Sequence, residues 1–182
     1  MIDELINYNR SFVENKGYEP YITDKYPNKK LAIVTCMDTR LTELLPAALG
    51  LKNGDAKIIK NAGGTITHPF GSAIRSLLVA IYELGVEEIM IIGHTDCGVR
   101  HMDGEVMLRH MQERGVSKEQ MEMMEYCGID LRGWLSGFND TEEAVRKSVH
   151  IVRHHPLIPA GVKVRGFIMD STTGHLDEVH ND

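Results

Sequence analysis

The apolar positions change period along the chain, and the changes mark out its elements. Ile2, Leu5, Ile6, Phe12 and Val13 fall on one helical face with polar residues between them, which predicts an amphipathic helix ending near Gly17. A loop rich in Tyr, Pro and Lys follows, from Tyr18 to Lys30. Leu31 to Cys36 is a short, unbroken apolar run with β-branched residues, the pattern of a strand buried on both faces of a parallel sheet. Thr42 is placed to cap a short helix with Pro46 still in its first turn. Lys57 to Lys60 predicts a second strand, running into Asn61-Ala62-Gly63-Gly64. From Ser72 to Leu84, Ala73, Ile74, Leu77, Leu78, Ile81 and Leu84 recur at helical spacing, with Gly85 as the stop. Glu88 to Gly93 predicts a third strand. Helical patterns cover about Glu105 to Glu113 and resume at Ser117, where Ser117 and Gln120 have the spacing of a capping box. A further helix begins after Asp140 or Thr141 and carries Val145, Val149 and Val152 on one face. Val162 to Asp170 predicts a fourth strand, Ser171 to Gly174 a turn, and Leu176 to Val179 a short edge strand.

Strands alternating with helices predict an α/β fold: a mainly parallel β-sheet flanked by α-helices, with an N-terminal helical arm over residues 1–16 of a single domain spanning 1–182. The length suits one domain, and 42% hydrophobic with 25% charged residues is ordinary globular composition. Twenty basic against 26 acidic residues, a net charge of −6, leave no electrostatic footprint for nucleic acid. No apolar run is long enough to span a membrane, and Met1-Ile2-Asp3-Glu4-Leu5 lacks the basic flank and apolar stretch of a signal peptide, so a cytoplasmic protein is expected. In a reducing compartment the three cysteines read as ligands, nucleophiles or core residues rather than a disulfide framework.

Open parallel sheets bind ligands just beyond the carboxyl ends of their strands. The first strand ends in Cys36-Met37-Asp38-Thr39-Arg40, the second in Asn61-Ala62-Gly63-Gly64, and the third in Gly93-His94-Thr95-Asp96-Cys97-Gly98. If the first and third strands are neighbours, Cys36, His94 and Cys97 converge, and two thiolates with one imidazole make a donor set suited to Zn²⁺. Taken singly, Cys36 is an ordinary core cysteine and His94 an ordinary loop histidine; their joint placement at strand ends is what points to a metal. Three ligands leave a position open for chemistry, whereas a fourth from Cys127, in a predicted helix, would make a closed, non-catalytic zinc-binding module.

Asp38 and Arg40 project to the same side of an extended segment. They are either an ordinary ion pair or a carboxylate held ionised and oriented beside the metal. Gly63 and Gly64 either form a plain strand-to-helix turn or offer backbone N–H groups to an anion. Asp96 either caps its turn or orients His94. The methionines at 102, 107, 111, 121, 123 and 124 are read as helical core or subunit contact, with an adaptable partner surface as the rival.

Cys36-x-Asp38-x-Arg40-Leu41, the run Gly54-Asp55-Ala56-Lys57-Ile58-Ile59-Lys60-Asn61-Ala62-Gly63, and Gly93-His94-Thr95-Asp96-Cys97-Gly98 resemble the motifs of the β-class carbonic anhydrases, most closely their short, archaeal-like branch. The likeness extends through Pro156-Leu157-Ile158-Pro159 and Gly166 to Thr173-Gly174. It implies zinc-dependent, reversible hydration of carbon dioxide to bicarbonate and a proton. One Zn²⁺ per chain would be held by Cys36, His94 and Cys97, with Asp38 and Arg40 as the catalytic dyad. It also implies a homodimer or higher homo-oligomer, with the N-terminal helix packed across the partner. Enzymes that hydrolyse carbon disulfide or carbonyl sulfide share the scaffold and form the alternative reading. The plant-like branch presents a glutamine near the substrate, but Gln112 and Gln120 lie in helical stretches well after the motifs, which leaves the substrate's negative oxygen to the backbone of Gly63 and Gly64. His68, His101 and His110 are the candidates for proton transfer to solvent.

Overall fold

A computed structural model describes residues 1–180, so the last two positions of the expected domain lie outside the described residues. The strands are β1 (Leu31–Cys36), β2 (Ala56–Asn61), β3 (Glu88–His94), β4 (Lys163–Met169) and β5 (Leu176–Val179). They form one sheet in the order β2-β1-β3-β4-β5, parallel except for the last pair. The helices are α1 (Ile2–Glu14), α2 (Leu41–Ala48), α3 (Ser72–Tyr82), α4 (Gly104–Glu113), α5 (Lys118–Tyr126), α6 (Leu131–Leu135) and α7 (Thr141–Arg153).

The period-2 alternation of the central strands sorts the core into two layers. Ala32, Val34, Ile89 and Ile91 face α3 and α7 and pack with Ile74, Leu77, Val145, Val149 and Val152. Ile33 and Ile92 face the other way and pack with Leu41 and Leu45 of α2 and with Met169. Burying each such aliphatic side chain contributes about 1.5–3 kcal/mol, which is why the unbroken apolar runs occupy the middle of the sheet. The valines of α7 are fully buried, and its N-terminus is held by Asp140, whose carboxylate accepts from the Glu143 N–H at 2.7 Å. The capping box at Ser117 forms with both of its hydrogen bonds.

Three local expectations change. Thr42 is not the cap of α2: Leu41 N–H donates to Asp38 and Thr42 N–H to Thr39, so the turn after β1 feeds straight into the helix. Pro46 therefore lies inside α2 rather than in its first turn. The Thr42 hydroxyl accepts instead from Lys60 Nζ at 3.1 Å. The short helix α6 had no counterpart in the sequence reading; Leu131 and Leu135 pack with Leu108 of α4 and Met121 of α5 in a small satellite core. The methionines divide accordingly: Met121 is buried and Met107 and Met111 pack on this core, while Met123 and Met124 are exposed. Cys127 caps the C-terminal end of α5, exposed.

Among the described residues no helix is long and apolar enough to cross a membrane. None of α1's residues is buried: Ile2, Leu5, Ile6 and Val13 of its apolar stripe are exposed, and Phe12 is half-buried against Tyr21 just beyond the helix.

Candidate active site

The strand order places β1 and β3 side by side, with the next strand in sequence on the far side of each. This is the point where the order reverses and where an open α/β sheet leaves a crevice at its carboxyl edge. Thr35 pairs with Ile92, and the Thr35 hydroxyl donates to the Ile92 carbonyl at 3.0 Å, locking the two tips together one residue before the site.

Cys36, His94 and Cys97 meet there, all buried, with their ligand atoms within 4.8 Å of one another. The two sulfurs are 3.9 Å apart, and no disulfide joins any cysteines among the described residues. The Thr95 carbonyl lies 2.8 Å from His94 Nδ1 and can only accept, so Nδ1 carries the proton and Nε2 presents its lone pair. His94 Nε2 is the one buried side-chain nitrogen or oxygen among the described residues without a hydrogen-bond partner. Leaving such a group bare costs about 1–3 kcal/mol, and a cation between it and the two sulfurs removes the cost. The donor set thus fits a borderline-soft divalent metal, with the second ring nitrogen fixed by a carbonyl as metal-bound histidines require.

The electrostatics agree. Burial pushes the Cys36 thiol up, but the facing His94 ring and the backbone N–H groups of Asp38 and Gly63 outweigh it and bring it down to about 7. Burial, together with the charge on Cys36, pushes the Cys97 thiol up, as a second thiol beside a first is expected to respond. Burial opposes a charge on His94, but the neighbouring Cys36 sulfur, the Thr95 carbonyl and Asp38 raise it.

Asp38 and Arg40 do form a pair. Arg40 Nε donates to Asp38 Oδ1 at 3.0 Å and Nη2 to Oδ2 at 2.8 Å, a two-pronged contact that holds the Asp38 carboxyl well below the usual carboxylate range. Asp38 Oδ1 also accepts from the Arg40 backbone N–H at 2.9 Å, which closes the turn after β1. Its Oδ2 stands 3.9 Å from the bare His94 Nε2. Asp96 neither caps its turn nor touches His94 through its side chain; it accepts from Arg40, a contact the sequence reading missed.

Gly63 and Gly64 have φ of +83° and +64° and are buried. Asn61 folds this turn by bonding across it, donating to the Thr65 carbonyl at 2.7 Å and accepting from the Thr65 N–H at 3.2 Å. The Gly63 backbone helps bring the Cys36 thiol down, so it serves the sulfur before any outside anion. Phe138 and Val99 close over Gly63 and pack with Cys36 and Cys97, giving the crevice an apolar wall that no local sequence signal announces. His68 Nδ1 accepts from the Phe70 N–H, His101 Nδ1 lies 3.4 Å from Asn139 Oδ1, and His110 sits in the last turn of α4; none contacts the three ligands.

The carbonic anhydrase family profile matches residues 31–176. Bacillus subtilis YvdA, provisionally named a carbonic anhydrase, is 52% identical over 180 residues, covering 99% of this chain and 91% of YvdA. A carbon disulfide hydrolase of Acidithiobacillus thiooxidans is 33% identical over 161 residues, 84% of this chain and 78% of that protein. The crystal structure of β-carbonic anhydrase isoform I from Trichomonas vaginalis superposes with a TM-score of 0.88 at 36% identity, covering 100% of this chain and 98% of its own. With the profile covering most of the chain and the sheet and donor set in place, the chain belongs to the β-class carbonic anhydrases, the enzymes that reversibly hydrate carbon dioxide to bicarbonate.

Proposed function

We propose that this chain hydrates carbon dioxide in the crevice between the tips of β1 and β3, with Cys36, His94 and Cys97 holding one zinc ion and Asp38 and Arg40 acting as the dyad. The bare, buried Nε2 of His94 facing two sulfurs carries this reading. Zinc bound there supplies Lewis acidity, which makes water a nucleophile at neutral pH.

The rest is done by the chain's own residues. Asp38 Oδ2, held ionised by Arg40, accepts a hydrogen bond from the attacking oxygen and aims a lone pair at the carbon of carbon dioxide. Arg40 keeps that carboxylate from turning onto the ligand face. Val99 and Phe138 offer carbon dioxide an apolar wall, and the Gly63–Gly64 turn, its Gly63 backbone already serving Cys36, is assigned the support of the product's negative oxygen. The proton released passes to buffer.

The arm supports a homodimer or higher homo-oligomer, because an apolar stripe that its own chain leaves mostly exposed is stabilised by burial against a second copy. Three free thiols fit a reducing compartment, as the cytoplasm is.

The relatives that hydrolyse carbon disulfide make the substrate part of the test. Zinc content and the hydration rate of carbon dioxide, measured beside carbon disulfide hydrolysis in the natural chain and in Cys97→Ser, decide it. One zinc per chain, rapid carbon dioxide hydration and loss of both in Cys97→Ser are expected. Carbon disulfide turnover without carbon dioxide hydration, or full zinc occupancy in Cys97→Ser, would overturn it.

A further inference from the structure

Asp96 lies in the short loop between His94 and Cys97 with φ of +52°, a left-handed conformation that side chains other than Asn and Asp rarely take. That bend turns two acceptors of one residue onto one guanidinium. Asp96 Oδ2 accepts from Arg40 Nη1 at 2.9 Å, and the Asp96 carbonyl accepts from Nη2 at 2.8 Å. On its other edge the same guanidinium holds Asp38 through Nε and Nη2. Arg40 is therefore bracketed between two aspartates that come from different strand tips, 56 and 2 residues away from it in sequence.

We infer that Asp96 is a positioning residue for the Asp38–Arg40 pair: it anchors the guanidinium so that Asp38 is held beside the ligand face without turning onto it, and it ties the dyad to the loop that bears His94 and Cys97. The inference rests on the role proposed above for Asp38. Arg40 is a long side chain, 40% exposed, and one two-pronged contact at one edge leaves its stem free to swing with Asp38 attached. A second contact at the opposite edge fixes the plane of the fork. The Asp96 side chain is 86% exposed, so its ion pair adds little to the stability of the fold, which allows a positioning role to be separated from a structural one. The loop that supplies two ligands also supplies the anchor, so whatever orders the loop at the metal orders Arg40, and through it Asp38.

Two variants of the zinc-loaded chain test this. Asp96→Gly removes the carboxylate on a backbone that glycine adopts without strain. Asp96→Asn keeps an acceptor oxygen for Nη1 without the charge. The readouts are water exchange of the Arg40 Nε–H by proton–nitrogen NMR, kcat and KM for carbon dioxide hydration, zinc content and the unfolding midpoint. In Asp96→Gly the Arg40 Nε–H is expected to exchange faster, and kcat to fall about three- to tenfold, the population change that one net hydrogen bond is worth. Zinc content and midpoint stay as in the natural chain, and Asp96→Asn restores most of both losses. Unchanged exchange in Asp96→Gly overturns the anchor, and faster exchange with unchanged kcat overturns its link to the dyad. Lost zinc or a lowered midpoint in both variants assigns Asp96 to the turn itself and overturns the inference as well. If the natural chain holds no zinc and hydrates no carbon dioxide, it is the proposed function that fails, and the Arg40 exchange still decides whether the anchor exists.

Discussion

Gly64→Ala measures how closely the glycine turn is pressed against the tip of β1 that carries Cys36. A Cβ at Gly64 would stand 2.7 Å from the Cys36 nitrogen, 2.9 Å from the Thr35 carbonyl carbon and 3.1 Å from the Ile92 oxygen. All three are backbone atoms, so no side-chain rotation relieves the contact. Gly50 supplies the control: its φ of +62° matches the +64° of Gly64, but nothing lies within 4 Å of its Cβ position. Both substitutions carry the cost of an alanine in the left-handed region, about 1–2 kcal/mol, and both lower the entropy of the unfolded chain alike. Only Gly64→Ala adds overpacking, about 1–3 kcal/mol more. For a chain of this size each kcal/mol moves the melting temperature by about 2–4 °C, so Gly64→Ala should melt about 2–12 °C below Gly50→Ala. Relief requires the tip of β1 to move, and that displaces Cys36, so zinc content should fall in Gly64→Ala and stay whole in Gly50→Ala. Thermal and urea unfolding beside metal analysis of both variants check this. Equal midpoints, or Gly64→Ala with full zinc, would refute the close approach of the glycine turn to β1.

Arg40→Ala and Asp38→Ala should each keep zinc and lose most of the hydration rate, the first because Asp38 is left free to turn onto the ligand face, the second for want of orientation. Zinc content and rate across pH decide, and a fully active or metal-free variant refutes the dyad. A chain lacking residues 1–15 should show a smaller assembly by light scattering than the full chain; an unchanged assembly would take the arm out of the interface. Asp170 predicts an acid limit: its Oδ1 accepts from the Thr173 N–H at 2.7 Å, the Thr173 hydroxyl at 2.9 Å and the Thr172 N–H at 2.9 Å, which holds its carboxyl below the usual range. A depressed folded pKa gives stability that is present above the unfolded value of about 3.9 and is lost as pH falls through the folded one. Asp170→Asn should therefore be less stable at neutral pH and flatter in its stability below about pH 4; parallel pH profiles for the two proteins would refute it.

The sheet was legible because its central strands are unbroken apolar runs, and such runs have few other places to go. The candidate donor set was legible for a second reason: its residues stand where strands stop, and the carboxyl edge of a parallel sheet is where chemistry collects. What escaped was set by pairing across long sequence distance or by competition at short range. The Asp96–Arg40 contact joins residues 56 positions apart, and no local pattern encodes it. Phe138 reaches Gly63 from the loop before α7, again without a periodic signal. Thr42 looked like a cap because its type and position suit one, but Asp38 is nearer the turn and takes the Arg40 N–H first. Leu131–Leu135 is too short to show a helical period, and it is held by packing on α4 and α5 rather than by propensity.

The arm marks a different boundary. The stripe of Ile2, Leu5, Ile6, Phe12 and Val13 does fall on a helix, yet only Phe12 packs, on Tyr21, and the face meets no core of its own chain. Periodicity reports that a face is suited to burial; it carries no information on what buries it. For β1 and β3 the two questions have one answer, because the partners of an apolar strand in a parallel sheet lie in the same chain. For a helix joined to its domain through a loop from Tyr18 to Lys30, the answers separate, and the sequence supplies only the first. The site repeats this logic on a smaller scale. Cys36, His94 and Cys97 were recognisable as a donor set from type and placement, but the geometry that makes them one centre is long-range: the β1–β3 pairing, the Thr35 bond across it, and the arginine held between two loops.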